Sequence, residues 1–171
     1  MRLILHACEA ADRGYERVLV SCRDTYVLLL LVHFMSIVEI GMITGTAKKH
    51  KSYQVHEVSQ RLTQPVMDNL LSFHALTDCD TTSAFNGHWK KSCWKIFQKH
   101  PLLVIEVGHD GELAPVEEFV CHLYGTPEQP TINHARLHLF GKAKNSLEIL
   151  PPTRDALELH AIPANYQAKI S

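Results

Sequence analysis

The stretch RVLVS at residues 17–21, followed by Asp24, decides the fold expected from this sequence. Consecutive apolar residues are typical of a strand covered on both faces, so we predict a buried strand over residues 17–21. Asp24 can begin a helix over residues 26–34, and a second strand is expected over residues 37–43. With a helix over residues 1–12, this alternating order predicts an α/β fold with a mostly parallel central sheet and flanking helices.

The rest of the chain has mainly helical patterns, apart from a short strand-like apolar run over residues 102–107. A length of 171 residues with 46% hydrophobic content fits one domain. We therefore expect a single domain over residues 1–171, with an α/β core at 1–85 and a mainly helical part at 86–171. Further helices are predicted over residues 55–62, 65–76, 89–100, 116–124 and 132–139, with a last one that Pro163 interrupts or kinks.

Charge and cysteine content limit the class of protein. The formal net charge is −1, so any nucleic-acid binding must come from a local basic patch. The five cysteines are an odd number and form no C-x-x-C pair, which favours a reducing, intracellular location, nuclear or cytoplasmic. The longest apolar run, residues 26–35, is far shorter than the roughly 20 residues that span a bilayer, so we expect no membrane contact.

A second acidic segment, Thr77-Asp78-Cys79-Asp80, lies between an apolar helix and a lysine-rich one. Carboxylates that converge in space are the ligands that a magnesium-dependent phosphodiester-cleaving site requires. Ligands gather at the carboxyl ends of parallel strands, and Asp24 follows one such strand. Helix capping is the alternative role for both Asp24 and Asp80, and it is the more common one for aspartate in this position.

Two stretches resemble the patterns DTDV and HALTGCDTTSAF of a family of transposon-associated, uncharacterised animal proteins. They are DTYVL at residues 24–28 and LSFHALTDCDTTSAF at residues 71–85. That family is similar to the PIN-like, flap-endonuclease superfamily, whose members cut nucleic acids with Mg²⁺ or Mn²⁺. The resemblance covers nearly the whole chain. It implies a PIN-like fold that includes a helix-hairpin, and a chain truncated at both ends relative to the family.

The resemblance also implies the site residues. Asp24 and Asp80 match catalytic, metal-binding carboxylates of the superfamily, and Asp78 stands at a glycine position, where it could replace a metal ligand. Tyr26 occupies the place of a second aspartate, and a neutral phenol binds magnesium poorly. We therefore expect an incomplete acidic cluster, so whether the protein is an enzyme is left open.

A basic segment after Phe85 resembles the helix-hairpin with which flap endonucleases hold the DNA backbone. Gly87 would form the turn, while Lys90, Lys91 and Lys95 would contact phosphates. The alternative is a solvated lysine face, and it is the more common case without the resemblance. Trp89 stands where the family has a glycine, and we expect Trp89 and Trp94 to anchor the core or the turn rather than to serve as base-stacking platforms.

The resulting functional hypothesis is a degenerate, PIN-like nuclease domain of mobile-element origin. Its cleavage activity would be weak or lost, and residual binding to the DNA or RNA backbone would remain. The alternative hypothesis is a catalytically silent protein-interaction module that keeps only the fold.

Overall fold

The computed structural model describes residues 2–34, 39–46, 49–77, 85–105, 107, 112–142 and 149–170. The chain divides into two compact units, residues 1–71 and residues 72–170. The three strands of the described residues belong to the first unit, and the second unit is built from helices. The expected single domain, with a division near residue 85, stays a prediction.

A small mixed sheet forms the centre of the first unit. Its strand order is β1-β2-β3, with β1 parallel to β2 and β3 antiparallel to β2. The buried apolar residues Val20, Ile40 and Met42 lie on β1 and β2. The elements of this unit are α1 (Arg2–Asp12), β1 (Arg17–Ser21), α2 (Thr25–Phe34), β2 (Glu39–Thr46), β3 (Lys49–Gln54), α3 (Val55–Gln60) and α4 (Gln64–Asp68).

The predicted fold class, a PIN-like α/β fold with a mostly parallel central sheet, is wrong. Helices make up 63% of the structure, and the described residues contain three strands, of which only β1 and β2 are parallel. One reason is that β1 is covered on one face only: Val20 is buried, whereas Leu19 is 62% exposed. A strand with one open face does not need the two helical layers that a parallel sheet requires.

The third strand, β3, lies outside the strands that the sequence predicted. Lys49 and Lys51 are in β3 and pair with Thr46 and Thr44 of β2. The strand KHKSYQ has no apolar alternation and is largely exposed, so its hydrophobic pattern gave no signal. Lysine on an edge strand is a common protection against pairing with another chain.

Helices build the second unit. The helix α5 (Leu70–Leu76) begins just before the boundary of the unit, and Asn69 separates it from α4 where the sequence predicted one continuous helix. The remaining elements are α6 (Lys90–Lys99), a 3₁₀ helix (Pro101–Val104), α7 (Ala114–Leu123), α8 (Ile132–Lys142) and α9 (Arg154–Ile170). The last of these, α9, continues through Pro163.

Within the strand-like run expected over residues 102–107, residues 102–104 belong to the 3₁₀ helix, and residues 105 and 107 are in turns. Val104 and Val107 are fully or almost fully buried, whereas Leu102 and Ile105 are exposed. Burial at a spacing of three matches the three residues per turn of a 3₁₀ helix, in which side chains three apart lie on one side. Four consecutive apolar residues, 102–105, conceal this spacing, so periodicity alone could not distinguish the two structures.

An aromatic cluster occupies the core of this unit. The rings of Phe73 and Phe97 are stacked, with centroids 4.4 Å apart and an angle of 14° between their planes. Trp94 packs against both rings at centroid distances of 5.5 Å. These contacts bury the inner face of α6 and leave its opposite face toward solvent. The prediction that Trp94 anchors the core is confirmed.

A buried carboxylate joins three helices of the same unit. Glu117 of α7 is only 6% exposed. Its Oε1 accepts a hydrogen bond from the backbone N–H of Ile132 at 2.8 Å, at the start of α8. Its Oε2 lies 4.0 Å from Nε of Arg154, the first residue of α9. The carboxylate thereby satisfies a buried donor and fixes the beginnings of α8 and α9.

In the part of the chain that the structure describes, no helix has both the length and the apolar character needed to cross a membrane.

Candidate nucleic-acid interface

The structure describes one of the three aspartates of the predicted acidic site. Asp24 is exposed and stands directly before α2, where its Oδ1 accepts a hydrogen bond from the backbone N–H of Tyr26 at 2.8 Å. That contact satisfies a donor at the helix start, which is the capping role. Asp78 and Asp80 lie outside the described residues, so whether the three carboxylates converge stays a prediction.

The carboxyl ends of β1 and β2 border an open groove of about 630 Å³. Its charged and ionisable lining comes from Cys22, Arg23 and His50, and Nε of Arg23 donates to the carbonyl of Gly45 at 3.1 Å. Guanidinium repels a divalent cation, so this donor set does not fit magnesium. No group of three or more metal-binding side chains occurs within the described ranges. The expected Mg²⁺ or Mn²⁺ site therefore depends on Asp78 and Asp80.

A fixed turn precedes α6. Gly87 has a φ of +76°, in the left-handed region that glycine adopts without strain. The backbone N–H of His88 donates to the carbonyl of Phe85 at 3.0 Å, which closes the turn. The hydroxyl of Tyr124 on α7 donates to the carbonyl of Asn86 at 2.9 Å. The turn is thereby attached to a neighbouring helix.

Trp89 ends the turn, and its side chain points into solvent. Its exposed fraction is 83%, the highest among the large hydrophobic side chains of the described residues. Anchoring of the core by Trp89 is therefore wrong, and its alternative role as an anchor of the turn stays a prediction. Its position at the helix N-cap, with φ −82° and ψ 154°, places it outside the helical repeat, so periodicity does not determine its orientation. A groove of about 490 Å³, lined by residues 85–89, opens beside it.

His88 lines the same groove but contributes little positive charge near neutral pH. Burial lowers its pKa from the ordinary value of 6.5. Its ring packs edge-on against Tyr124, with centroids 4.4 Å apart. His88 thus supports the turn as a neutral ring.

The four lysines of α6 fall into two groups. Lys90 is half-buried, and its Nζ lies 2.6 Å from Nδ1 of His74. Because an ammonium group can only donate, this Nδ1 is the acceptor. Lys91, Lys95 and Lys99 are exposed at spacings of four, and we call these three residues the lysine face.

Comparisons of the chain with protein-family models, with curated proteins and with solved structures found no match. The likeness to the transposon-associated family thus rests on the motifs alone and stays a prediction. The same holds for the flap-endonuclease superfamily.

The electrostatics of the lysine face are unusual for a helix surface. Among the described residues, no carboxylate forms an ion pair with Lys91, Lys95 or Lys99. Like charges four residues apart destabilise a helix by about 0.2–0.5 kcal/mol per pair. Lys91 also stands in the first turn, where the helix dipole disfavours cations, and no side chain caps this helix. An anion bound against this face would offset the repulsion between the lysines, the unfavourable position of Lys91 in the helix dipole and the missing side-chain cap.

Proposed function

We propose that the protein binds the phosphate backbone of nucleic acid through the lysine face of α6 and the turn at residues 85–89. The observation that carries the proposal is the row of three exposed lysines, which have no carboxylate partner within the described part of the chain. The row extends about 12 Å along the helix, or about three to four phosphates of a duplex strand.

The geometry favours phosphate over a mere solvated surface for a second reason. Gly87 provides a turn whose Cβ position faces open space, and Trp89 and Lys91 follow it at the start of α6. Backbone N–H groups at a helix start attract phosphate, and neighbouring lysines add charge. Lys90, which the sequence grouped with the phosphate contacts, is engaged with His74 and has a supporting role.

The degenerate nuclease activity is a separate part of the hypothesis. It rests on the motif that includes Asp24 and Asp80, and on Tyr26 at the position of a further aspartate. Cleavage would require a carboxylate cluster, of which Asp24 is the member that the structure describes.

A salt titration tests the binding proposal. The natural chain is expected to bind DNA or RNA oligonucleotides with a dissociation constant of about 1–100 µM near physiological salt. Lys91→Gln, Lys95→Gln and Lys99→Gln should each lower the slope of log affinity against log salt concentration by about 0.7–0.9, because each removes one phosphate contact. Fluorescence anisotropy of a labelled oligonucleotide measures both quantities.

The matched control is Lys142→Gln. Lys142 is an exposed lysine in the last turn of α8, so its loss changes the net charge equally without touching the lysine face. Its slope should equal that of the natural chain. Equal slopes for all four variants, or affinity independent of salt, would remove the proposal.

The second candidate function is a protein-interaction module. It is favoured by three exposed apolar side chains at spacings of three and four on α9, Leu159, Ile162 and Tyr166, which share one helix face. Contiguous exposed apolar surface marks protein contacts more often than nucleic-acid contacts. A chain that binds no oligonucleotide at any salt concentration would favour this candidate.

A further inference from the structure

We infer that the turn at residues 85–89 makes this interface selective for single-stranded nucleic acid, with an unpaired base stacked on the indole of Trp89. The inference rests on the proposed backbone binding and adds a substrate class to it. Its basis is an exposed aromatic ring and a groove at the start of α6, followed along the helix by the lysine face, which has no carboxylate partner among the described residues.

The exposure of Trp89 is the first step. An indole is among the largest apolar side chains and is normally buried in a core or an interface. Here 83% of it meets solvent, although Trp94, five residues later, packs in the core. A solvent-facing indole is available to a flat aromatic ligand.

The groove beside Trp89 is the second step. Its volume of about 490 Å³ lies in the range of small-molecule sites, about 300–1,000 Å³. Contacts with other elements hold the wall of the groove in place. Phe85 is buried against His160, with ring centroids 4.8 Å apart, and the hydroxyl of Tyr124 donates a hydrogen bond to the Asn86 carbonyl. A base could thus enter a site whose backbone is already fixed.

Charge complementarity identifies the occupant. An apolar groove alone could hold many partners, but Lys91 lies two residues after Trp89, and the lysine face continues from it along α6. A nucleic-acid strand offers flat bases and closely spaced phosphates, so it matches both the exposed ring of Trp89 and the lysine face. In a duplex the bases are stacked on one another, so only a single strand presents a base face together with its backbone.

Oligonucleotide affinity tests the inference. The natural chain should bind a 12-nucleotide single strand about tenfold more tightly than the same sequence as a duplex, because stacking on one aromatic ring changes affinity about 5- to 150-fold. Trp89→Leu should lower single-strand affinity about tenfold, lower duplex affinity much less and keep the salt slope. Trp89→Phe, which retains an aromatic face, should restore most of the loss.

Two further measurements test whether the change in affinity is specific to the ring of Trp89. Binding of the single strand should quench tryptophan fluorescence in the natural chain but not in Trp89→Leu, where Trp94 is the remaining tryptophan. Tyr166→Leu removes another exposed aromatic ring of the same unit and should leave the affinity unchanged. The circular dichroism spectrum of Trp89→Leu should match that of the natural chain, since the ring makes little contact with the fold.

The possible outcomes distinguish single-strand selectivity from the backbone binding on which it rests. Salt-dependent binding with equal affinity for single strand and duplex, and no effect of Trp89→Leu, would overturn the inference and leave backbone binding intact. No binding of either oligonucleotide would overturn both. Binding of an apolar peptide or of a second copy of the chain at Trp89, with no oligonucleotide binding, would do the same.

Discussion

The arginine–carboxylate pairs of residues 1–71 contrast with the lysine face of residues 72–170, although Lys49 and Lys51 of β3 are likewise exposed and form no ion pair with a described carboxylate. In residues 1–71, exposed arginines meet exposed carboxylates: Arg13 with Glu9, and Arg17 with Glu39. In residues 72–170, one carboxylate, Glu117, is buried in a hydrogen-bond network, and the lysine face has no carboxylate partner among the described residues. Each exposed ion pair contributes about 0–1 kcal/mol to the free energy of unfolding, so the pairs in residues 1–71 stabilise the fold only slightly.

This difference in pairing indicates where a binding surface for an anion should be sought. A paired cation is already neutralised and offers little to an external anion. An unpaired row of cations is destabilising in isolation and is therefore a better indication of a binding surface. Composition could not reveal this difference, since the net charge of −1 is nearly balanced over the whole chain.

The largest effect expected is from Glu117→Ala. The substitution leaves the Ile132 N–H as a buried donor without a partner and removes the carboxylate beside Arg154, so the free energy of unfolding should fall by about 2–3 kcal/mol. Urea denaturation followed by circular dichroism measures it. The matched change in the other unit, Glu9→Ala, removes an exposed carboxylate that pairs with Arg13 and should cost at most about 0.5 kcal/mol.

Equal losses in the two variants would contradict the comparison. Glu117→Gln provides an intermediate case, because its amide oxygen can still accept from Ile132 while the charge beside Arg154 is lost. Its loss should lie between those of Glu9→Ala and Glu117→Ala.

A smaller effect is expected at Asp24, the charged group of residues 1–71 on which the metal hypothesis depends. Asp24→Ala removes the hydrogen bond to the Tyr26 N–H and should lower the free energy of unfolding by about 1 kcal/mol. Asp24→Asn keeps an oxygen at the same place, so its stability should match that of the natural chain.

Magnesium separates the two roles of Asp24. If Asp24 only caps α2, adding Mg²⁺ should leave the thermal unfolding midpoints of the natural chain and of Asp24→Asn unchanged. A midpoint that rises with Mg²⁺ in the natural chain but not in Asp24→Asn would show that the carboxylate binds the ion. Gain of cleavage in Tyr26→Asp, lost again in Asp80→Ala, would then support the nuclease ancestry.

The sequence predicted elements whose evidence is local. Helices α1, α2 and α8 are present at nearly the predicted bounds, because each shows helical periodicity or an end signal such as Asp24. The strand β1 is also at its predicted place. What failed was the third strand: β3 is polar and pairs antiparallel with β2, whereas the strand-like run over residues 102–107 includes part of a 3₁₀ helix.

Parts of the candidate site depended on contacts between distant residues. Lys91 and Lys95 are exposed on one side of α6, where their spacing placed them. The exposure of Trp89 and the bond from Tyr124 to Asn86 could not be predicted, because they depend on how a turn meets a helix 38 residues away in sequence. For Asp24, the sequence allowed both a cap and a ligand, and the cap bond is present.

The smallest effect expected is a loss of stability in acid that originates in residues 72–170. Burial and the neighbouring His100 lower the pKa of His122 from 6.5, while Glu118 raises it. The His100 and His122 rings are 4.2 Å apart. Because the folded-state pKa lies below the unfolded value, the unfolded chain binds more protons in acid. The stability contributed by His122 is complete above about pH 6.5 and declines as the pH falls below it.

The measurement is the difference in unfolding free energy between about pH 7.5 and about pH 5.5. Other groups titrate over the same interval, so the natural chain is compared with His122→Gln, in which the acid loss should be smaller. Glu118→Gln removes the carboxylate 3.9 Å from His122 Nε2 and should make the loss larger, because nothing then opposes burial and His100. An acid loss that is equal in all three proteins would mean that this ring pair does not distinguish the second unit from the first.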